Sequence, residues 1–182
     1  MSIFDDLNAE FKAWRDNYFD DQRASVRFTV QFAKGLQNYI LAPESFRSIG
    51  TTQKPYIKTA KLVDKGDGEY EAVEPDNIFD TIQRGQGGDW NFAVQVALEI
   101  ASNAYPKQYF GIPIHFIIDN GFAKLKITNR PDGELTYDLN DDTKNTAAYN
   151  FVAKLLQEIF RTKPSDMAQQ KSPMGFIVPS SS

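Results

Sequence analysis

From residue 4 onward the chain sets apolar side chains at Phe4, Leu7, Phe11, Trp14 and Tyr18, with spacings that alternate between three and four. That is the period of one helical face, and here the face is mostly aromatic. Ser2 stands three residues before Asp5, so its hydroxyl can accept a first-turn amide while the carboxylate reaches back, a capping-box start. After Asp20 and Asp21 the period changes. Val26, Phe28, Val30 and Phe32 alternate with Arg27, Thr29 and Gln31, which predicts a strand with one wet face. Gly35 then reads as a turn or bulge, and residues 37–41 as a second strand.

Residues 42–54 form a loop by composition. Residues 56–63 and Glu69–Val73 flank a turn at 64–68 rich in Asp and Gly, which predicts a hairpin. Residues 74–88 read as a loop interrupted by a short helix at 77–83. Residues 90–104 carry two patterns at once. Phe92, Val94, Val96, Leu98 and Ile100 alternate like a strand, yet Asn91, Gln95, Glu99 and Ser102 trace a narrow wet stripe at helical spacing. Length and a cap at Asp89 favour a helix.

The dipeptide Asn120-Gly121 lies between two alternating runs, residues 109–119 and 122–129, and predicts a two-residue hairpin loop. Such a loop pairs Ile118 with Ala123, Phe116 with Leu125 and Ile114 with Ile127. His115 then falls opposite Lys126, and Ile117 opposite Lys124. A turn at 131–133 leads into Leu135, Tyr137 and Leu139, completing a meander. Asp141 to Thr143 caps a last helix whose stripe is Ala148, Phe151 or Val152, Leu155 and Ile159.

The expected architecture is α+β. One domain over residues 1–163 holds a mainly antiparallel sheet, two hairpins and a meander, packed by three helices: N-terminal, central and C-terminal. Residues 164–182 form a Ser-, Pro- and Gln-rich tail containing an apolar segment at 174–178. With 41% hydrophobic residues the chain can build its own core.

Composition narrows the chemistry. There is no cysteine, so disulfides, thiolate metal sites and cysteine nucleophiles are excluded, and the single histidine rules out sites needing two imidazoles. No stretch is long and apolar enough to span a bilayer, and the first residues are acidic where a signal peptide is basic, so a cytoplasmic location is expected. No metal and no cofactor is predicted. Asn140-Asp-Asp-Thr143 reads as capping chemistry, and no acidic calcium-loop spacing is present.

Four groups of residues are candidates for function. The aromatic stripe Phe4, Leu7, Phe11, Trp14 and Tyr18 is either core or an interface, since aromatic residues supply much of the energy of protein contacts. Phe176, Ile177 and Val178 lie beyond the last helix and suit addition to a sheet edge or the filling of a groove on a partner, the alternatives being a loose terminus or a strand folded back on the chain's own sheet. Arg84, Gly85, Gly87 and Gly88 precede the expected central helix, where bare amides and a guanidinium suit an anion or a nucleotide, although Asp89 sits where the anion belongs. Arg27, Lys58, Lys61, Lys124, Lys126 and Arg130 belong to positively charged, strand-rich segments and would form a patch for nucleic acid if they shared one face. The net charge of −4 argues against a dedicated nucleic-acid binder. His115 reads as a solvated strand residue facing Lys126. The expected function is a non-enzymatic assembly or accessory protein with a protein partner or self-association. An anion-binding protein, with or without enzymatic activity, and a nucleic-acid binder are the alternatives.

Overall fold

In the computed structural model the described residues are 2–47, 52–66, 69–85, 87–99, 108–127, 134–161 and 176–178. Helix α1 (Ile3–Tyr39) runs unbroken for 37 residues, about 55 Å at 1.5 Å per residue. Its start is the capping box read from the sequence: Ser2 Oγ accepts from the Asp5 amide at 3.2 Å, and Asp5 accepts from the Ser2 amide at 2.9 Å. Residues 26–32 are therefore helix and not strand, and residues 37–39 are the end of the same helix.

A two-stranded ribbon follows, β1 (Ser45–Arg47) with β2 (Gln53–Pro55). The main sheet is antiparallel, with β4 (Glu69–Val73), β3 (Ile57–Gly66), β6 (Trp90–Leu98), β7 (Gln108–Asp119), β8 (Phe122–Ile127) and β9 (Glu134–Asp138) side by side in that order. The short β5 (Gln83–Arg84) pairs with β6, and β10 (Phe176–Val178) pairs with β7. Helix α2 (Thr146–Arg161) packs beside α1, led in by a 3-10 turn at Asp142–Asn145 that Asp141 caps. A second 3-10 turn, Ile78–Thr81, lies inside the stretch expected to hold a short helix.

Among the described residues there are thus two α-helices where three were expected. The central one is replaced by β6, the strand between β3 and β7. Both faces of β6 are covered, which removes the wet side that usually marks a strand. Phe92, Val94 and Val96 face the helices, while Ala93 and the nearly inaccessible Gln95 lie on the other face. That second face is roofed by the β3–β4 hairpin, which curls over until β4 lies near β7 and β10. Ala60, Leu62, Ala72 and Ala93 fill the space beneath it with Tyr70 alongside.

The main core lies between the sheet and the two helices. Phe28 and Phe32 of α1 meet Phe92, Phe116 and Tyr137 edge-on or tilted, the arrangement that aromatic quadrupoles prefer. The β7–β8 hairpin has the register derived from the sequence, Ile114 with Ile127, Phe116 with Leu125 and Ile118 with Ala123. Asn120 and Gly121 both have positive φ, 49° and 82°, as the two-residue turn requires. Arg130, the turn at 131–133, residues 100–104 of the expected helix and the tail up to residue 175 lie outside the described residues.

Candidate functional site

The stripe that begins at Phe4 continues along the whole of α1. Stepping on by three and four from Tyr18 reaches Asp21, Ser25, Phe28, Phe32 and Gly35. From Ser25 to Leu36 this side lies on the sheet and is buried. From Phe4 to Trp14 no part of the described chain covers it. Phe11 is 60% and Trp14 62% exposed, whereas Phe28 and Phe32 are fully buried. Phe11 stacks on Trp14 at 6.1 Å, and Trp14 on the half-buried Tyr18 at 5.8 Å. The first half of α1 is an arm that projects from the body.

A collar of side chains marks where the arm leaves the body. Tyr18 meets the buried Trp90 at 6.0 Å. The Trp90 indole donates to Asp21 Oδ2 at 3.0 Å, and the Arg84 guanidinium reaches the same oxygen at 3.0 Å while lying 4.4 Å over the indole ring. One carboxylate on the helix thereby fixes two groups of the sheet, and the cation–π contact reinforces the corner.

Arg84 and the glycines after it were expected to cradle an anion ahead of a helix. Trp90–Leu98 is strand, so no helix end supplies positive potential there. The loop closes on itself, with the Gly85 amide donating to the Asp89 carbonyl at 2.8 Å and the Gly88 amide to the Gly85 carbonyl at 3.2 Å. Gly88 has φ 82°, a left-handed conformation that its lack of Cβ permits. Gly87 stands in the same turn, and the Arg84 charge is engaged by Asp21.

The loop instead borders a cleft of about 410 Å³ on the sheet face turned away from the helices. Asp64, Tyr70, Arg84, Asp89, Asn91 and His115 are among its lining residues. His115 Nδ1 lies 3.2 Å from Asp89 Oδ2, and the Tyr70 ring stands edge-on to the imidazole at 6.3 Å. His115 pairs with Lys126 across β7 and β8, as the sequence register requires, but Asp89 as its partner is not legible in the sequence. The Asp89 contact follows from β6 being a strand: Asn91 pairs with His115 on the other side of β7, which brings Asp89 within reach.

The basic residues are spread over several surfaces. Arg27 is on α1. Lys58 and Lys61 lie on opposite faces of β3, since residues an odd number apart alternate. Lys58 is paired with Glu74 at 3.1 Å and sits 4.9 Å over the Tyr109 ring. Lys124 and Lys126 are exposed on β8. At the C-terminal side the backbone of Phe176, Ile177 and Val178 pairs with Gly111, Phe110 and Tyr109, on the edge of β7 beyond the point where β8 stops. Among the described residues no group of three or more His, Asp or Glu side chains is placed to hold a metal ion, and no helix is long and apolar enough to cross a membrane.

Comparison with protein families, with curated proteins and with solved structures returns no match.

Proposed function

We propose that this is an assembly or accessory protein that acts through protein contacts, with the arm of α1 as its contact surface. The observation that carries the reading is the single stripe of α1, buried from Ser25 onward and bare from Phe4 to Trp14. Large apolar side chains grouped on one face cost free energy in water, and on a monomer such groups mark places where another surface docks. The helix itself adds to the argument. A segment of about 15 residues standing off the body is marginally stable alone, and a partner on its apolar face supplies the packing that the sheet supplies further along.

The experiment compares the full chain with its Phe11→Glu and Trp14→Glu variants in the cell after brief crosslinking. Both side chains lie outside the core, so the variants are expected to keep the fold of the body, read as an unchanged main unfolding transition at low concentration. Discrete crosslinked complexes present for the wild type should vanish for both variants. Complexes that persist unchanged would place the contact elsewhere and end this reading.

A second reading has its own support. The Asp89–His115 pair at the cleft holds an imidazole in a fixed orientation, as small-molecule sites require of a hydrogen-bonding or proton-transferring group. It is tested by a thermal-shift panel of small polar ligands. A ligand that raises the melting temperature of the wild type and not of His115→Ala supports a site there, and a panel without any shift removes it. Nucleic acid has less support, because among the described candidates Arg27 lies on α1 and Lys61 on the face of β3 opposite Lys58.

A further inference from the structure

We propose that the occupant of the arm is the arm of a second copy of this chain, laid antiparallel, so that two bodies sit at opposite ends of a shared two-helix segment. This rests on the reading of the arm as a contact surface and names its partner.

Three observations point to a second copy in that orientation. The 3-4-3-4 spacing of Phe4, Leu7, Phe11, Trp14 and Tyr18 is the seam that one helix presents to another, an a/d repeat two heptads long. Residues 4–14 and 25–36 also lie on the same side of α1, so the direction in which the arm must be covered is the direction in which the body lies. Two arms paired in parallel would drive both bodies into one space. Paired antiparallel, each body lies past the tip of the other arm, and each tip comes up against the Tyr18–Trp90 collar of its mate. The helix dipoles agree with this, since antiparallel arms oppose them.

The area suffices. Phe4, Leu7, Phe11 and Trp14 are each more than half exposed. Covering them on both copies removes on the order of 1,000 Å² from water, the lower bound for a specific interface. The expected dimer is accordingly one that dissociates on dilution, not a permanent one.

The test uses the full chain, purified, by light scattering on a sizing column over a wide concentration range. Because the chain has no cysteine, a single introduced one carries a spin label uniquely. Labels are placed at Lys12→Cys, near the middle of the arm, and at Asp20→Cys, near its root. The expected result is twice the mass of the 20.6 kDa chain at high concentration. The mass should return to that of one chain in Phe11→Glu, with the main unfolding transition of the body retained at low concentration. Antiparallel arms bring the residue-12 labels close and hold the residue-20 labels farther apart by about 25 Å, from the helical rise. Equal separations at the two sites would overturn the orientation. A dimer that survives Phe11→Glu would overturn the surface. A wild type that stays monomeric throughout would overturn the second copy, while the contact reading then stands if Phe11-dependent complexes form in the cell and falls with it if none do.

Discussion

The hydroxyl of Tyr149 on α2 lies directly against Gly35 on α1, in space that a Cβ at position 35 would occupy. The same hydroxyl hydrogen-bonds Asp142 and meets the Tyr137 hydroxyl at 2.9 Å, so a three-residue polar knot joins β9, the 3-10 turn and α2 and packs against α1. Gly35→Ala is a sharp probe of it. Helix propensity alone would make alanine stabilising by ~1 kcal/mol. The overlap with Tyr149 is expected to reverse that sign, for a net loss of about 1–2 kcal/mol in urea unfolding. Combined with Tyr149→Leu the two losses should be less than additive. A Gly35→Ala variant more stable than the wild type would mean that the helices do not approach as closely as this.

The split stripe of α1 predicts a contrast between chemically identical substitutions. Phe28→Ala removes a fully buried ring and should cost about 3–5 kcal/mol. Phe11→Ala, on the same stripe, removes an exposed ring and should change the stability of the dilute protein by less than about 0.5 kcal/mol. Denaturant melts of the two variants at low concentration decide this, and equal losses would mean that the arm is covered.

Much of this was legible in the sequence, and what was not has physical causes. The capping box, the register of the β7–β8 hairpin and the Asp141 cap were all set by short-range chemistry that neighbouring residues declare. Residues 26–32 read as strand because the buried face of α1 uses the small polar residues Ser25 and Thr29, while Val30 points to solvent. Thr29 satisfies its hydroxyl on the Val26 carbonyl at 2.9 Å, so the core face carries polar residues and the wet face an apolar one. Residues 90–98 read as helix because β6 is covered on both sides, and Gln95 and Asn91 looked like a wet stripe. That one error also hid the Asp89–His115 contact, which exists only through strand pairing.

Gln95 itself supplies a third prediction. Its amide nitrogen donates to the Ala72 carbonyl at 3.3 Å, but its buried oxygen has no hydrogen-bond partner among the described residues. An unmet acceptor in a dry site costs more than one long hydrogen bond returns. Gln95→Met should therefore raise the unfolding free energy by about 1 kcal/mol in urea melts. A loss of similar size would show that the amide fixes the β4 roof over the sheet.

Alkaline pH should unfold the protein through the tyrosine knot. Burial pushes the Tyr137 phenol up to about 12, with the nearby Asp142 carboxylate adding to the effect. Burial, then the hydrogen bond to Asp142, raises Tyr149 further still. Both phenols ionise near 10 once unfolded, so the stability they contribute is whole below that pH and falls as pH climbs from about 10 through the folded values. Melting temperatures measured from pH ~9 to ~12 should decline over this window, and Tyr149→Phe should flatten the decline. A variant with the wild-type slope would remove the knot as its source.

The unbroken course of α1 has a mechanical consequence. The helix contains no proline, and its only glycine, Gly35, lies in the buried half, so nothing between the tip and the collar offers a hinge. With its apolar face covered by a partner, the arm is a rigid lever whose bearing is set by the Asp21–Arg84–Trp90 corner. Whatever seats on it is held at a fixed distance and angle from the body, and a change in that corner would swing the far end of the arm through a much larger arc than the change itself.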